Sequence, residues 1–286
     1  MGIIVGSLAR QNWHRQARQR GLSRAAAEEA AFEKTAAIGR EFGFQPIGID
    51  IDYGAFGTGR DALEALKARL AENGMVPVAS FGPVAVSNDA LVREANLEQV
   101  RRELEEIAVL GARTATFHVK YHGRVTREGQ VRFVVQMLRQ IGPIAAGYGI
   151  RVCQEDYDYF TSAELLRICR EVGLPNVGIH SDTGNWLLLG EDPVAATRAC
   201  LPYTLHAHVR DYVLENETYN GVALGEGLVD FPRVLPVLAE AGREEDIIFA
   251  VEVDTDDRDE DEAARASYAY LKQWLVANGH TEHVRA

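Results

Sequence analysis

Short apolar runs alternate along the chain with longer amphipathic segments. Eight runs have the length and composition of buried strands: residues 3–6, 45–52, 76–81, 114–118, 150–155, 177–182, 205–209 and 247–252. Between these runs, apolar residues recur at helical spacing, as in segments 25–42, 91–110 and 262–278. The pattern predicts eight strands alternating with eight helices, which is typical of a parallel sheet covered by helices.

The number of strand–helix units favours a closed barrel over an open, doubly wound sheet. A (β/α)8 barrel typically takes about 250 residues, and the chain has 286, of which 47% are hydrophobic. An open dinucleotide-binding sheet would carry G-x-G-x-x-G after its first strand, and this chain has only Gly-Ile-Ile-Val-Gly-Ser there. We therefore expect an α/β fold, a single TIM barrel over residues 1–286 with residues 281–286 as a flexible tail.

Charge and cysteine content narrow the range of partners and compartments. The chain has 42 acidic and 30 basic residues and a net charge of −12, which argues against a nucleic-acid partner because phosphate binding needs a basic surface. The three cysteines have no C-x-x-C spacing and are typical of a reducing compartment. No apolar run approaches the roughly 18 residues of a membrane span, and no signal peptide is evident. We expect a cytoplasmic protein without a membrane partner.

Polar residues end the last four strand-like runs. Glu155, Asp182, His208 and Glu252 stand at these ends, with 27 positions between the first two and 26 between the next two. Active sites of such barrels form at the C-terminal ends of the strands, so the four side chains should converge. Three carboxylates and an imidazole would resist burial together unless a cation bound them. The set predicts one divalent metal ion, Mn²⁺ or Mg²⁺ for an oxygen-rich site, with Co²⁺ or Zn²⁺ as alternatives.

Each of these residues also has a purely structural interpretation. A carboxylate at a strand end often caps the next helix, as Asp50 and Asp52 could. His206 and His208 alternate with apolar residues and point to the same side of their strand, where a histidine is often a hydrogen-bonded core residue. The coincidence of four ligand residues at one height favours the metal site.

Several motifs resemble the sugar phosphate isomerase/epimerase superfamily of xylose isomerase-like TIM barrels, which includes ketose 3-epimerases, hydroxypyruvate isomerase and inosose dehydratase. The resemblance covers nearly the whole chain and is most specific in Val-Cys-Gln-Glu (152–155), Val-Gly-Ile-His-Ser-Asp-Thr-Gly-Asn (177–185), His-Ala-His-Val-Arg-Asp (206–211), Leu-Gly-Glu-Gly-Leu-Val-Asp-Phe (224–231) and Val-Glu (251–252). It implies that Glu155, Asp182, His208 and Glu252 are the metal ligands and that the two glutamates also move the proton. His208 matches the histidine of the family's H-x-K-D motif, which ranks His206 behind it.

The residue types agree with sugar chemistry. A cation that holds a carbonyl and the neighbouring hydroxyl stabilises the enediolate formed when the α-proton leaves, and one carboxylate can remove that proton while another returns it. The sequence thus predicts a metal-dependent isomerase or epimerase of a small keto-sugar or sugar derivative. Residues that could contact the substrate are His118, Arg210, His206, Asn185, Trp13 with His14, and Trp186.

Other functions remain open on this scaffold. A lyase or dehydratase, of the keto-inositol or dehydroshikimate type or one cleaving C-glycosides, would begin with the same enolisation. A barrel that only binds a sugar or serves as a partner subunit is an alternative of another class. Homo-oligomers are common among barrels, and the sequence leaves the number of subunits open. Asn185 replaces a histidine of several relatives, and it argues against a trinuclear endonuclease site.

Overall fold

Eight parallel strands close into a barrel. The computed structural model describes residues 2–7, 21–87, 89–120, 125–156, 160–243, 246–253 and 260–285. In barrel order the strands are β1, β10, β7, β6, β5, β4, β3 and β2, after which β2 pairs with β1. Their bounds are β1 Ile3–Ser7, β2 Ile47–Asp50, β3 Met75–Ala85, β4 Thr114–Lys120, β5 Arg151–Glu155, β6 Val177–Asp182, β7 Thr204–Val209 and β10 Ile247–Val251. The predicted TIM barrel is confirmed.

Helices follow the strands and cover the barrel. They are α1 Arg24–Phe42, α2 Arg60–Glu72, α3 Ala90–Leu110, α4 Arg127–Gly147, α5 Ser162–Val172, α6 Asn185–Leu188, α7 Pro193–Cys200, α8 Phe231–Ala239 and α9 Glu260–Ala277. Local sequence fixes their ends. Helix α5 begins with a complete capping box between Thr161 and Glu164 and ends at Gly173 in the left-handed conformation. Each helix turns its apolar face to the barrel, and the largest core cluster fills the space between the two layers.

Apolar residues line the barrel interior towards the N-terminal ends of the strands. A second, smaller apolar cluster contains Ile4, Val78, Ile248 and Ala250. Ile248 fills the space opposite Gly48, because a Cβ at Gly48 would lie only 2.7 Å from the Cγ2 of Ile248. Above this cluster, towards the C-terminal ends of the strands, the interior becomes polar. The described helices include none with the length and hydropathy of a membrane span.

An antiparallel hairpin interrupts the alternation between β7 and α8. Strands β8 (Asp211–Glu215) and β9 (Thr218–Val222) pair with each other and not with the barrel. Asn216 and Glu217 form the turn with positive φ values of 50° and 63°, as a tight two-residue hairpin requires. The sequence pattern gave only a loop here, because this turn lacks the glycine that usually marks such hairpins.

Helix α4 and the C-terminal segment make contacts that local sequence does not suggest. A proline preceded by a glycine often interrupts a helix, yet α4 runs through Gly142 and Pro143, and the Gly142 carbonyl accepts a hydrogen bond from the Asn176 side chain at 2.9 Å. Within the segment expected to be a flexible tail, Val284 bridges Phe44, and the Arg285 N–H donates to the Gly43 carbonyl at 2.7 Å, next to the end of α1. The flexibility of this tail stays a prediction.

Candidate active site

The four residues predicted as metal ligands come from four consecutive strands of the barrel. Glu155 ends β5, Asp182 ends β6, His208 lies near the end of β7, and Glu252 directly follows β10. Asp182 and His208 are register partners, and the Glu252 N–H donates to the Val209 carbonyl at 3.1 Å. The four side chains are at least 90% buried. The parallel register therefore brings them together below the C-terminal rim.

The His208 imidazole is the centre of this group. Its Nδ1 atom lies 2.9 Å from Glu252 Oε2, 3.8 Å from Glu155 Oε1 and 3.8 Å from Asp182 Oδ2. One oxygen of Glu155, one oxygen of Asp182 and one nitrogen of His208 all lie within 4.8 Å of one another. Ligands of a Mg²⁺-sized octahedral ion, bonded at about 2.1 Å, are about 3 to 4.2 Å apart. Glu155, Asp182 and His208 thus lie close enough together to share one such cation, whereas Glu252 contacts His208 and Arg210.

Asp182 acts as a helix cap and still presents an oxygen to the site. Its Oδ1 accepts the backbone N–H groups of Gly184 at 2.8 Å and Asn185 at 3.2 Å, at the start of α6. Its Oδ2 is the atom that approaches His208. The structural interpretation and the ligand interpretation therefore apply to different oxygens of one carboxylate.

Arg210 crosses the site and holds two of the carboxylates. It donates to Asp182 Oδ2, to Glu252 Oε1 at 2.8 Å and to Asn185 Oδ1 at 3.2 Å. Burial alone would raise the pKa of Asp182, but the charges of Arg210 and His208 and the hydrogen bonds from Arg210 and Gly184 together lower that pKa. Arg210 and Asn185, both predicted to bind substrate, thus contact the ligand carboxylates in this structure.

Burial raises the pKa of two carboxyl groups in the site that accept no described hydrogen bond from Arg210. Burial, with the nearby charges of Glu252 and Asp182, raises the pKa of Glu155 to about 8. Burial and the Asp182 charge raise the pKa of Asp156 well above its usual range. Asp156 accepts the Asp182 N–H at 3.1 Å and the Asn185 side chain at 3.0 Å. The sequence analysis did not single it out, because it directly follows Glu155 and so leaves the ligand face of β5.

Unpartnered polar atoms show that the residues fit a cation. Glu252 Oε2 and His208 Nδ1 are buried and have no hydrogen-bond partner within the described ranges, despite their close approach. Buried polar atoms without partners are rare in native proteins and often indicate a missing ion. The donor set, three carboxylates and one imidazole, suits Mg²⁺ or Mn²⁺.

A second layer of polar side chains lies beneath these ligands. His180 and His206 are register partners two residues before Asp182 and His208, and the His180 ring centroid lies 4.4 Å from that of His206 and 3.9 Å from that of His208. Asp50 Oδ2 lies 3.4 Å from His206 Nε2 and 3.6 Å from His208 Nε2. The sequence analysis missed His180, although the two-residue period of a strand places it on the same face as Asp182.

The remaining predicted substrate contacts are dispersed. His118 is half-buried near the end of β4. Trp186 is fully buried within the apolar core, where it exposes no surface to a sugar. Trp13 and His14 lie outside the described residues. Of these predicted aromatic contacts, the structure therefore describes only Trp186, whose ring lies in the core.

Comparison with known proteins agrees with this fold. The family model of the xylose isomerase-like TIM barrel matches residues 36–274. A 3-oxo-isoapionate decarboxylase from Pectobacterium atrosepticum is 24% identical over 163 residues, spanning 48% of this chain and 59% of that protein. A ketose 3-epimerase from Arthrobacter globiformis is 27% identical over 205 residues, spanning 65% of this chain and 67% of that protein. The chain thus matches less than two thirds of the decarboxylase.

Solved structures share the fold over nearly their whole length. A D-psicose 3-epimerase crystallised with D-fructose has a TM-score of 0.73 at 19% identity, covering 98% of this chain and all of that one. A xylose isomerase-like TIM barrel protein from Mycobacterium smegmatis in complex with magnesium has a TM-score of 0.70 at 18% identity, with 97% of both chains covered. The zinc-bound IolI protein has a TM-score of 0.65 at 15% identity over both complete chains. With the family model matching most of its length, the chain belongs to the xylose isomerase-like TIM barrel family.

Proposed function

We propose that the protein is a divalent-metal-dependent epimerase or isomerase of a small keto-sugar or sugar derivative. The observation that carries the proposal is the order of the four ligand residues around the barrel. Strands β10, β7, β6 and β5 are neighbours in that order, so Glu252 and Glu155 stand at the two ends of the set with His208 and Asp182 between them. A substrate bound over the centre would have one carboxylate on each side.

Two carboxylates on opposite sides suit a proton transfer between the faces of a planar intermediate. One glutamate removes the proton next to the carbonyl, and the other returns a proton to the opposite face or to the neighbouring carbon. The bound cation would polarise the carbonyl and the adjacent hydroxyl and so make that proton more acidic. Mn²⁺ or Mg²⁺ suits the oxygen-rich donor set, and the magnesium and zinc bound by two structural neighbours support a divalent ion.

The other polar residues of the site position these groups. Arg210 holds Glu252 and Asp182 through separate N–H groups, which fixes the direction of both carboxylates. Asn185 links Arg210 to Asp156 and stands at the start of α6. We assign Arg210 and Asn185 to positioning, and His118 remains our candidate for a substrate contact at the rim.

Solvent-isotope exchange tests the proton transfer directly. In D₂O with Mn²⁺, the wild-type protein should convert a ketose from a panel of ketohexoses and ketopentoses, and product formed should carry deuterium at the reacting carbon. Glu252→Gln should lower turnover at least about a hundredfold while the variant still binds Mn²⁺ and unfolds cooperatively. Full turnover by Glu252→Gln would contradict the proposed role of that residue.

A lyase on the same site is the second candidate, because one curated relative is a decarboxylase. Both reactions begin by generating negative charge next to a carbonyl. Product mass separates them, since epimerisation and isomerisation in H₂O preserve the substrate mass, whereas loss of water or carbon dioxide lowers it. A product of lower mass would replace the first proposal by the second.

A further inference from the structure

We propose that the barrel interior contains a second metal site, made by His180, His206, His208 and Asp50 and selective for Zn²⁺ or a similar transition-metal ion. This inner site lies one layer below the carboxylate-rich set, which we term the outer site. One nitrogen from each of the three histidines lies within 4.8 Å of the others. The inference concerns metal binding and does not depend on the proposed sugar chemistry.

The distances from Asp50 suit a tetrahedral ion. Zinc binds histidine nitrogen at about 2.0–2.1 Å, so adjacent ligand atoms in a tetrahedron are about 3.3 Å apart. Asp50 Oδ2 lies 3.4 Å from His206 Nε2 and 3.6 Å from His208 Nε2. The three histidine nitrogens lie within 4.8 Å of one another, so binding the ion would draw them together by up to about 1.5 Å.

The atoms that would bind the ion have few polar neighbours besides one another. Asp50 Oδ2, His180 Nε2, His206 Nε2 and His208 Nε2 are all buried and make no well-aligned hydrogen bond to a described residue. Asp50 Oδ2 lies only within ion-pair distance of His206 and His208. Buried polar atoms that lack a well-aligned partner are costly, and a bound cation would satisfy all four at once.

The hydrogen bond on the far side of His180 indicates a ligand. His180 Nδ1 lies 3.1 Å from the Thr116 hydroxyl. A histidine that ligates a metal usually donates its other ring N–H to such a partner, which fixes the ring and leaves a lone pair on the second nitrogen. With Nδ1–H donated to Thr116, His180 Nε2 carries that lone pair into the cluster.

His208 belongs to both sites because its two nitrogens face opposite layers. Nδ1 faces Glu252, Glu155 and Asp182, and Nε2 faces Asp50. With both sites filled, the ring would lose its remaining proton and bridge the two ions. The ligand types also separate the ions, because imidazole favours zinc-like metals and carboxylate oxygen favours Mg²⁺ and Mn²⁺.

A cavity at the opposite end of the barrel provides an approach to the inner site. It has a volume of about 500 Å³ and lies where the strands begin, among Ile4, Val76, Thr114 and Ile248. His206 is also part of its lining. An ion could therefore reach the inner histidines without passing the outer carboxylates.

Metal content of the full-length protein tests the proposal. Protein stripped with a chelator is dialysed against Mn²⁺ or Zn²⁺, and bound metal per chain is measured by mass spectrometry. Wild type should retain about one Mn²⁺ per chain after dialysis against Mn²⁺ and about two Zn²⁺ after dialysis against Zn²⁺. His206→Gln should retain one ion in either case. The control is His280→Gln, which should still retain two Zn²⁺ because His280 stacks on Trp274.

A milder variant keeps the test decisive if His206→Gln fails to fold. Thr116→Val retains every ligand and removes the hydrogen bond to His180, together with a 3.5 Å contact to the Cys153 Sγ atom. It should therefore weaken binding of the second Zn²⁺ about ten- to a hundredfold. A chromophoric chelator in competition measures that affinity. Binding of one Zn²⁺ by wild type, or a second Zn²⁺ unaffected by both variants, would overturn the inner site. A wild-type protein that binds two Zn²⁺ but converts no ketose of the panel would instead disprove the proposed function alone.

Discussion

Asp211 should stabilise the protein more than any exposed carboxylate of the same region. Its side chain is fully buried at the start of the hairpin and accepts four backbone N–H groups. Oδ1 accepts from Tyr212 at 2.9 Å and from Val229 at 3.0 Å. Oδ2 accepts from Gly225 at 3.0 Å and from Gly227 at 2.9 Å. One carboxylate thus fixes the loop that returns the chain from the hairpin to α8.

The change to test is Asp211→Asn, because it preserves volume and alters only one oxygen. The amide nitrogen that replaces one carboxylate oxygen carries two N–H donors. It would face the two backbone N–H groups that donate to that oxygen in wild type, so both hydrogen bonds would be lost. Hydrogen bonds to a charged group contribute about 1.5–3 kcal/mol each. Two are lost, and the smaller cost of burying a neutral side chain offsets part of the loss. We expect the free energy of unfolding to fall by roughly 3 kcal/mol.

Denaturant titration followed by circular dichroism measures this loss. The matched control is Asp230→Asn in the same loop, because Asp230 is 45% exposed and makes no side-chain cap to α8. The control should stay within about 0.5 kcal/mol of wild type. An Asp211→Asn protein within 1 kcal/mol of wild type would show that the four contacts contribute little, and would refute the reasoning.

Four further predictions concern the interior of the barrel. Arg210→Met should lower the unfolding free energy of chelator-treated protein by about 3–5 kcal/mol, since Asp182 and Glu252 lose their buried cation, and saturating Mn²⁺ should recover part of that loss in the same titration. Because the pKa of Glu155 is raised to about 8, its carboxyl holds a proton below that pH. Mn²⁺ affinity should therefore gain about tenfold per pH unit from this group between about pH 5 and 8, and Glu155→Gln should reduce by one the slope of log affinity against pH in calorimetric titrations. The same raised pKa implies that metal-free wild type loses stability as pH rises from about 4.5 to 8, and Glu155→Gln should remove that dependence. Gly48→Ala should cost about 1–3 kcal/mol through its contact with the Cγ2 atom of Ile248. Ile248→Ala removes that atom, so it should cost less in the Gly48→Ala background than in wild type, and an equal cost in both backgrounds would argue against that contact.

The sequence located the outer site because its residues occupy equivalent positions in successive units. Glu155, Asp182 and His208 each end a recognisable apolar strand, and parallel strands share one C-terminal edge. Their convergence therefore needed only the strand count and the direction of each strand. Glu252 followed from the same rule once the last strand was identified.

The inner layer was missed because its residues have ordinary structural interpretations taken singly. His180 is one histidine within an apolar run, and Asp50 ends β2 where a helix cap is expected. Only the register of β6 with β7 shows that His180 and His206 are opposite each other. The contacts of Arg210 likewise depend on side-chain conformations that no local pattern specifies.

The barrel can contain so polar an interior because most of its apolar contacts lie outside the strands. The large core cluster fills the space between strands and helices, whereas the small interior cluster has four buried members. Stability can therefore come from the outer layer, while buried carboxylates and imidazoles face one another at the centre. His208 lies within 4 Å of four carboxylates, and such a group is costly to bury unless cations bind it. The arrangement that is costly to bury in the metal-free protein is thus the one that would favour a bound cation.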